Sequence, residues 1–177
     1  MTISLYDATV PSFIQHLRAL DGILAKAQGW AAEQGIAEAD LLARRIADDM
    51  MPLSVQIKWA RHHSLHAIEG VRAGAFQPDM GPTPETLAAH RENLAGAIAA
   101  LEALDPAEVN GFVGSNVHFS IPNTSFALDF AAENFLFSFS LPNFFFHVTT
   151  AYDLFRGAGL PIGKRDYLGA MRFKATP

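Results

Sequence analysis

The three-to-four-residue spacing of an amphipathic helix recurs along four long stretches of the chain. Each stretch places apolar side chains on one face and is bounded by capping residues, proline or glycine. In the third, Thr83 followed by Pro84 and Glu85 is a start signal. The pattern predicts long helices over about 10–33, 52–74, 83–104 and from 132 or 142 to 157, with a short linking helix over 38–45.

Between the third and fourth helical stretches the hydrophobic period changes to two. Residues 116–121 and 126–130 alternate apolar and polar side chains on either side of a turn at 122–124. This pattern predicts a β-hairpin that lays one apolar face on the helices. Residues 132–141 fit either a further strand or the beginning of the last helix.

Four amphipathic helices bury their apolar stripes most simply against one another. The predicted fold is therefore mainly all-α, a four-helix bundle with a small β-hairpin between helices 3 and 4. A chain of 177 residues, half of them hydrophobic and 18% charged, is large enough for one core. We expect a single domain over residues 1–177.

The amino-acid composition argues against several classes of binding partner. A net charge of -5 with scattered basic residues argues against binding to nucleic acid or to an anionic membrane. The sequence has no cysteine, which excludes disulfides and thiolate chemistry and fits a reducing compartment. No apolar run reaches the roughly 18 residues of a membrane span. A soluble cytoplasmic protein is expected.

Histidine is the most plentiful metal-type ligand, with seven copies. At about 100° per residue, His63, His90 and His147 face inward, whereas His62 is predicted on the solvent side. Three inward imidazoles could hold a catalytic metal with one open position. Alternatively, an inward histidine is a core imidazole that is hydrogen-bonded to a neighbouring carbonyl, hydroxyl or carboxylate.

Phenylalanine is concentrated late in the chain, where twelve of the fourteen follow residue 110. Phe144, Phe145 and Phe146 point in directions about 100° apart on the last helix. At least one of them must meet something other than the central core. That side chain could line a ligand pocket or form a homodimer contact.

Four motifs together resemble a bacterial family of domains of unknown function within the DinB/YfiT-like superfamily of metalloenzymes. They are MTISLYDATVP at 1–11, DMMPL at 49–53, LPNFFFHVTTAY at 141–152 and GKRDYLG at 163–169. The resemblance implies a DinB-like bundle, commonly a dimer. It also implies a divalent metal on three histidines, one on the second helix and two spaced four apart on the fourth, and in some members transfer of small thiols.

In that ligand pattern, His147 corresponds to one of the two histidines on the fourth helix. The positions four residues away are Asn143 and Ala151, and the inward position in the early turns of the second helix is Gln56. Two functions stay open. The first is a structural or small-ligand-binding homodimer whose metal site has become a polar cluster of His147, Asn143, Thr150 and Gln56. The alternative is a thiol-transferase-type enzyme with Zn or Ni on His147, His90 and His63.

Overall fold

The structure, a computed structural model, describes residues 3–174, so Met1 and Thr2 of the opening motif lie outside it. The helices are α1 (Leu5–Gln34), α2 (Glu38–Leu42), α3 (Leu53–Arg61), α4 (Ala67–Ala73), α5 (Leu87–Glu102), α6 (Pro106–Asn110), α7 (Ala132–Asn134), α8 (Leu141–Gly157) and α9 (Lys164–Leu168). The strands are β1 (Ala75–Phe76), β2 (Asn116–Ser120) and β3 (Ala127–Ala131). The predicted mainly helical fold with a small sheet is confirmed. Among the described residues, no helix is both long and apolar enough to cross a membrane.

Four long helical segments share one hydrophobic core. They are α1, the segment from α3 to α4, α5, and the segment from α7 to α8. The first segment packs against α5 and α8, and α3 packs against both α8 and α5. The largest fully buried side chains come mainly from α1 and the last segment, and include Phe13, Phe135, Phe144 and Phe155.

Two helix starts differ from the sequence prediction because other side chains cap them. α1 begins at Leu5 rather than near residue 10, since the Ser4 hydroxyl accepts a hydrogen bond from the Asp7 amide at 3.1 Å. α5 begins at Leu87, so the predicted start at Thr83 is wrong. Thr86 caps it by accepting from the Ala89 amide at 3.1 Å.

The sheet has three strands rather than two. β2 and β3 pair antiparallel, as predicted, with Val117 opposite Phe130. β1, between the predicted second and third helices, adds a parallel strand on the other side of β2. It approaches α4 closely at Gly70, where an added Cβ would lie 2.9 Å from Phe76 Cδ2, so this contact requires glycine.

The second and fourth long segments each contain a π-helical stretch. His62–His66 joins α3 to α4, and Phe135–Ser140 joins α7 to α8, so residues 132–141 are helical. The two stretches meet where the buried Ser140 hydroxyl donates to the His63 carbonyl at 2.8 Å. A π turn is wider than an α turn and rotates less per residue, which redirects every side chain that follows.

Candidate functional site

A hydrogen bond between α3 and α8 lies at the centre of the site. Gln56 and His147 are both buried, and His147 Nδ1 lies 2.7 Å from Gln56 Oε1. The Gln56 amide group donates in turn to the Met51 carbonyl at 3.0 Å, which fixes the orientation of the side chain. Because Gln56 Oε1 can only accept, His147 Nδ1 carries the proton and Nε2 carries the lone pair.

His147 Nε2 is buried and finds no hydrogen-bond partner among residues 3–174. The same holds, within the described chain, for His63 Nδ1 and His90 Nε2. We call these three atoms the open nitrogens. Since buried polar atoms in native proteins are nearly always satisfied, each one indicates a missing partner.

His63 and His147 lie side by side. Their rings are nearly parallel, with an interplanar angle of 15° and centroids 5.6 Å apart. Aromatic rings surround the pair: Trp59 and Phe146 each meet the His147 ring edge-on at 5.4 Å, and Phe139 meets His63 at 5.5 Å. The result is a neutral, aromatic-walled cluster that contains two of the open nitrogens.

A surface pocket adjoins this cluster at Trp59. Its volume is about 110 Å³, and Trp59, Val55, Met51 and Met80 supply apolar walls. The charged group at its rim is already paired, because Lys58 Nζ lies 3.0 Å from Asp79 Oδ1 and also donates to the Gly81 carbonyl. The pocket is therefore largely apolar and electrically balanced.

His62 is buried, so its predicted position on the solvent side is wrong. Its Nε2 donates to the Gln77 carbonyl at 3.0 Å, and its Nδ1 lies 3.1 Å from His66 Nδ1. A carbonyl can only accept, so neutral His62 accepts from His66. The physical reason for the error is that the chain after α4 covers this side of the helix, since the Phe76 ring lies 4.6 Å from the His62 ring and Gln77 supplies the carbonyl.

His90 belongs to α5 and lies on the other side of α3. It lines a cavity of about 20 Å³ together with Ile57 and Arg61 of α3. Burial lowers the pKa of His90 to about 4, as expected of a core imidazole. The structure therefore brings His63 and His147 together and places His90 on the opposite flank of the helix.

The remaining two sequence candidates lie near His147 on α8. Asn143 is half-buried, and its amide group donates to the Phe139 carbonyl at 2.7 Å. Thr150 is buried one turn after His147. Asn143 is thus committed to its own helix, whereas Gln56 makes the direct bond to the imidazole. Trp59 was not among the sequence candidates, since a tryptophan on a helix face carries no signal that distinguishes a pocket wall from core.

Burial keeps these imidazoles neutral at physiological pH. It lowers the pKa of His63 to about 3, helped by the neighbouring His147 and His62. Burial likewise lowers the pKa of His147 to about 4, with a smaller contribution from His62. The pKa of His66 is also lowered by burial. Neutral imidazoles offer lone pairs rather than positive charge.

Comparison with known proteins identifies the family of this chain. A family described as "Domain of unknown function (DUF1993)" matches residues 5–168. The chain belongs to the DUF1993 family. Among solved structures, the DUF1993 chain is similar to a DinB family member protein from Shewanella denitrificans, with a TM-score of 0.81 and 30% identity over 97% of this chain and 96% of that one. Among curated proteins, none matches.

The DinB resemblance implies a metal on three histidines, and the residues of this DUF1993 chain do not fit that group. Gln56 binds His147 itself, and Asn143 is committed to a backbone carbonyl. His90, on α5, lies across α3 from His63 and His147. Within residues 3–174, no three His, Cys, Asp or Glu side chains are grouped as a metal site requires.

Proposed function

We propose that this DUF1993 protein binds a small neutral molecule, and that the hydrogen-bonded Gln56–His147 pair stands where relatives would hold a metal. One observation carries the proposal: the open nitrogen of His147, an acceptor fixed by Gln56 and buried beside aromatic rings. A ligand that donates a hydrogen bond to this nitrogen would satisfy it. Binding would offset the desolvation cost of about 1–3 kcal/mol that the atom now carries.

The surroundings support a neutral ligand over a charged one. The side chains of Trp59, Phe139 and Phe146 form aromatic walls. In the adjoining pocket, the charges of Lys58 and Asp79 already neutralise each other. A charged ligand would lose its hydration without gaining a counter-charge. An amide, an alcohol or a heterocyclic N–H combines a flat or apolar body with one donor, which matches this cluster.

The alternative function is a metal-dependent enzyme of thiol-transferase type. The open nitrogens of His63 and His147 favour it, since each could offer a lone pair to Zn or Ni. A catalytic site needs a third protein ligand. The remaining member of that predicted set, His90, lies on the side of α3 that faces α5. The geometry thus gives ligand binding more support.

Histidine-detected 15N NMR with neutral probes, acetamide and ethanol first, tests the proposal. We expect saturable shifts of His147 Nε2 and of the Trp59 indole nitrogen, lost in His147→Phe. The Trp30 indole, on α1, is an internal control that should not move. If neither probe nor a wider panel of small amides and alcohols shifts these two resonances, the proposal fails.

Elemental analysis separates the two functions. Protein purified without a metal-binding tag should retain far less than one equivalent of transition metal. About one equivalent, lost in His147→Ala, would favour the enzyme and overturn the ligand-binding proposal. The same sample also provides metal-free protein for the NMR titration.

The proposal includes a homodimer. Phe137 and Phe146, on the last long helical segment, are 45% and 53% exposed, which is unusual for phenylalanine. A second copy packed against them would bury this apolar surface. Sedimentation equilibrium should give a dimer mass for the natural protein and a monomer mass for Phe146→Lys. A monomer in the natural protein would remove the dimer from the proposal and leave the ligand site standing.

A further inference from the structure

Two residues that line the cavity between α3 and α5 each have a buried polar atom that needs a partner. His90 is 2% exposed, has an open nitrogen and lines this cavity. Arg61 lines it as well, and its Nε is buried without a hydrogen-bond partner in the described chain. Two unsatisfied atoms in one cavity point to a single bound group that serves both.

The chemistry of the two atoms defines that group. Arg61 Nε always carries a proton and donates. In a neutral imidazole, Nε2 accepts a hydrogen bond in one tautomer and donates one in the other. The bound group must therefore accept from Arg61 and form a hydrogen bond with His90 Nε2 in either direction.

Size and charge favour a water molecule. The cavity volume of about 20 Å³ is enough for one water molecule. A cation would face the guanidinium of Arg61 and the ammonium group of Lys58, which also lines the cavity, and an anion would lose its hydration shell in so small a space. We propose that one water molecule is an integral part of the fold here, accepting from Arg61 Nε and hydrogen-bonded to His90 Nε2. Asn93, which also lines the cavity, offers it a third polar partner.

The position of this water gives it a structural role. Arg61 is the last residue of α3 and directly precedes the π-helical stretch His62–His66. A water that joins Arg61 to α5 holds the point at which the helix widens. His90 is then a residue that positions this stretch through the water, independently of any ligand at His147.

A high-resolution crystal structure gives the direct test. We expect one density peak within about 3.2 Å of both His90 Nε2 and Arg61 Nε. A crystal soaked in bromide should show no anomalous signal at this place. No peak at the cavity, or a bromide peak in it, would overturn the proposal.

A double-mutant cycle tests the bridge in solution. His90→Leu and Arg61→Met should each lower the folding equilibrium constant by about tenfold, because each leaves the other atom unsatisfied. The double variant should lose less than the product of the two losses, since it leaves neither atom behind. Losses that multiply would contradict a bridging water. If a variant does not fold, the density in the natural protein decides.

Discussion

The two flanks of α3 bury the same chemical group in different surroundings. The α8-facing flank lies beside the open nitrogens of His63 and His147, and the α5-facing flank lies beside that of His90. On the first, aromatic rings adjoin the imidazoles, and one of these rings, Trp59, also lines a pocket of about 110 Å³. On the second, the cavity holds about 20 Å³. An open nitrogen shows that a partner is needed, and the volume around it decides whether that partner is a ligand or a water.

Acidification should destabilise the packing on both flanks of α3, and we expect it to have the largest effect on stability. The unfolded chain binds a proton on each histidine near pH 6.5, whereas burial lowers the pKa of His62, His90 and His147 to about 4 and that of His63 to about 3. Below pH 6.5 the unfolded state therefore holds more protons. Stability should be complete above this pH and fall on acidification by up to about 1.4 kcal/mol per pH unit for each imidazole.

Urea denaturation between about pH 7 and pH 4 measures this loss. His63→Phe and His90→Leu each remove one titrating group from a different flank, so each should reduce the slope by up to one proton. Equal reductions would show that both flanks bury a neutral imidazole. A free energy of unfolding that does not change over this range would contradict the burial of neutral histidines.

Replacing Gln56 should affect only the α8-facing flank. Gln56→Leu removes the acceptor of the His147 Nδ1 proton and leaves that N–H buried, at a cost of about 1–3 kcal/mol. Histidine NMR should show that His147 no longer has one fixed tautomer, while the His90 resonances stay in place.

The control is Gln34→Leu, an exposed glutamine near the end of α1, with an expected change below about 0.5 kcal/mol. Gln56→Glu sharpens the test, because a carboxylate beside His147 should raise the pKa of that imidazole. If Gln56→Leu behaved like the control, the Gln56–His147 bond would not organise the site.

The helical spacing predicted the four long segments because apolar stripes drive their packing. It could not locate starts that depend on a distant or local cap, as at Thr86, where the hydroxyl holds the Ala89 amide and the Glu38 carboxylate holds the Leu87 amide. The local sequence signals for a helix start at Thr83 were as strong as those at Thr86. Tertiary contacts decide at which of the two threonines the helix begins.

Positions within the site were harder to predict than the helices that carry them. A constant 100° per residue placed His63, His90 and His147 inward, and all three are buried. The same rule placed His62 outward, because helical spacing does not show that Phe76 and Gln77, after the end of α4, cover that side of the helix. The spacing also could not separate the two flanks of α3, since two inward directions on one helix look alike until the neighbouring helices are known.

The smallest expected effect concerns the contact between the two π-helical stretches. Ser140→Ala removes the buried bond to the His63 carbonyl and should cost about 1 kcal/mol, measured by denaturation. Ser138, two residues earlier, is exposed and bonds within its own helix, so Ser138→Ala should cost almost nothing.

This pair of variants also separates the flanks. Loss of the Ser140 bond frees the backbone at His63, so the His63 and His147 resonances should shift and broaden while those of His90 keep their positions. Equal disturbance of all three histidines would mean that α3 responds as one rigid body. The α5-facing cavity and the α8-facing cluster would then be parts of one coupled site, and the distinction between a water and a ligand would have to be drawn from volume alone.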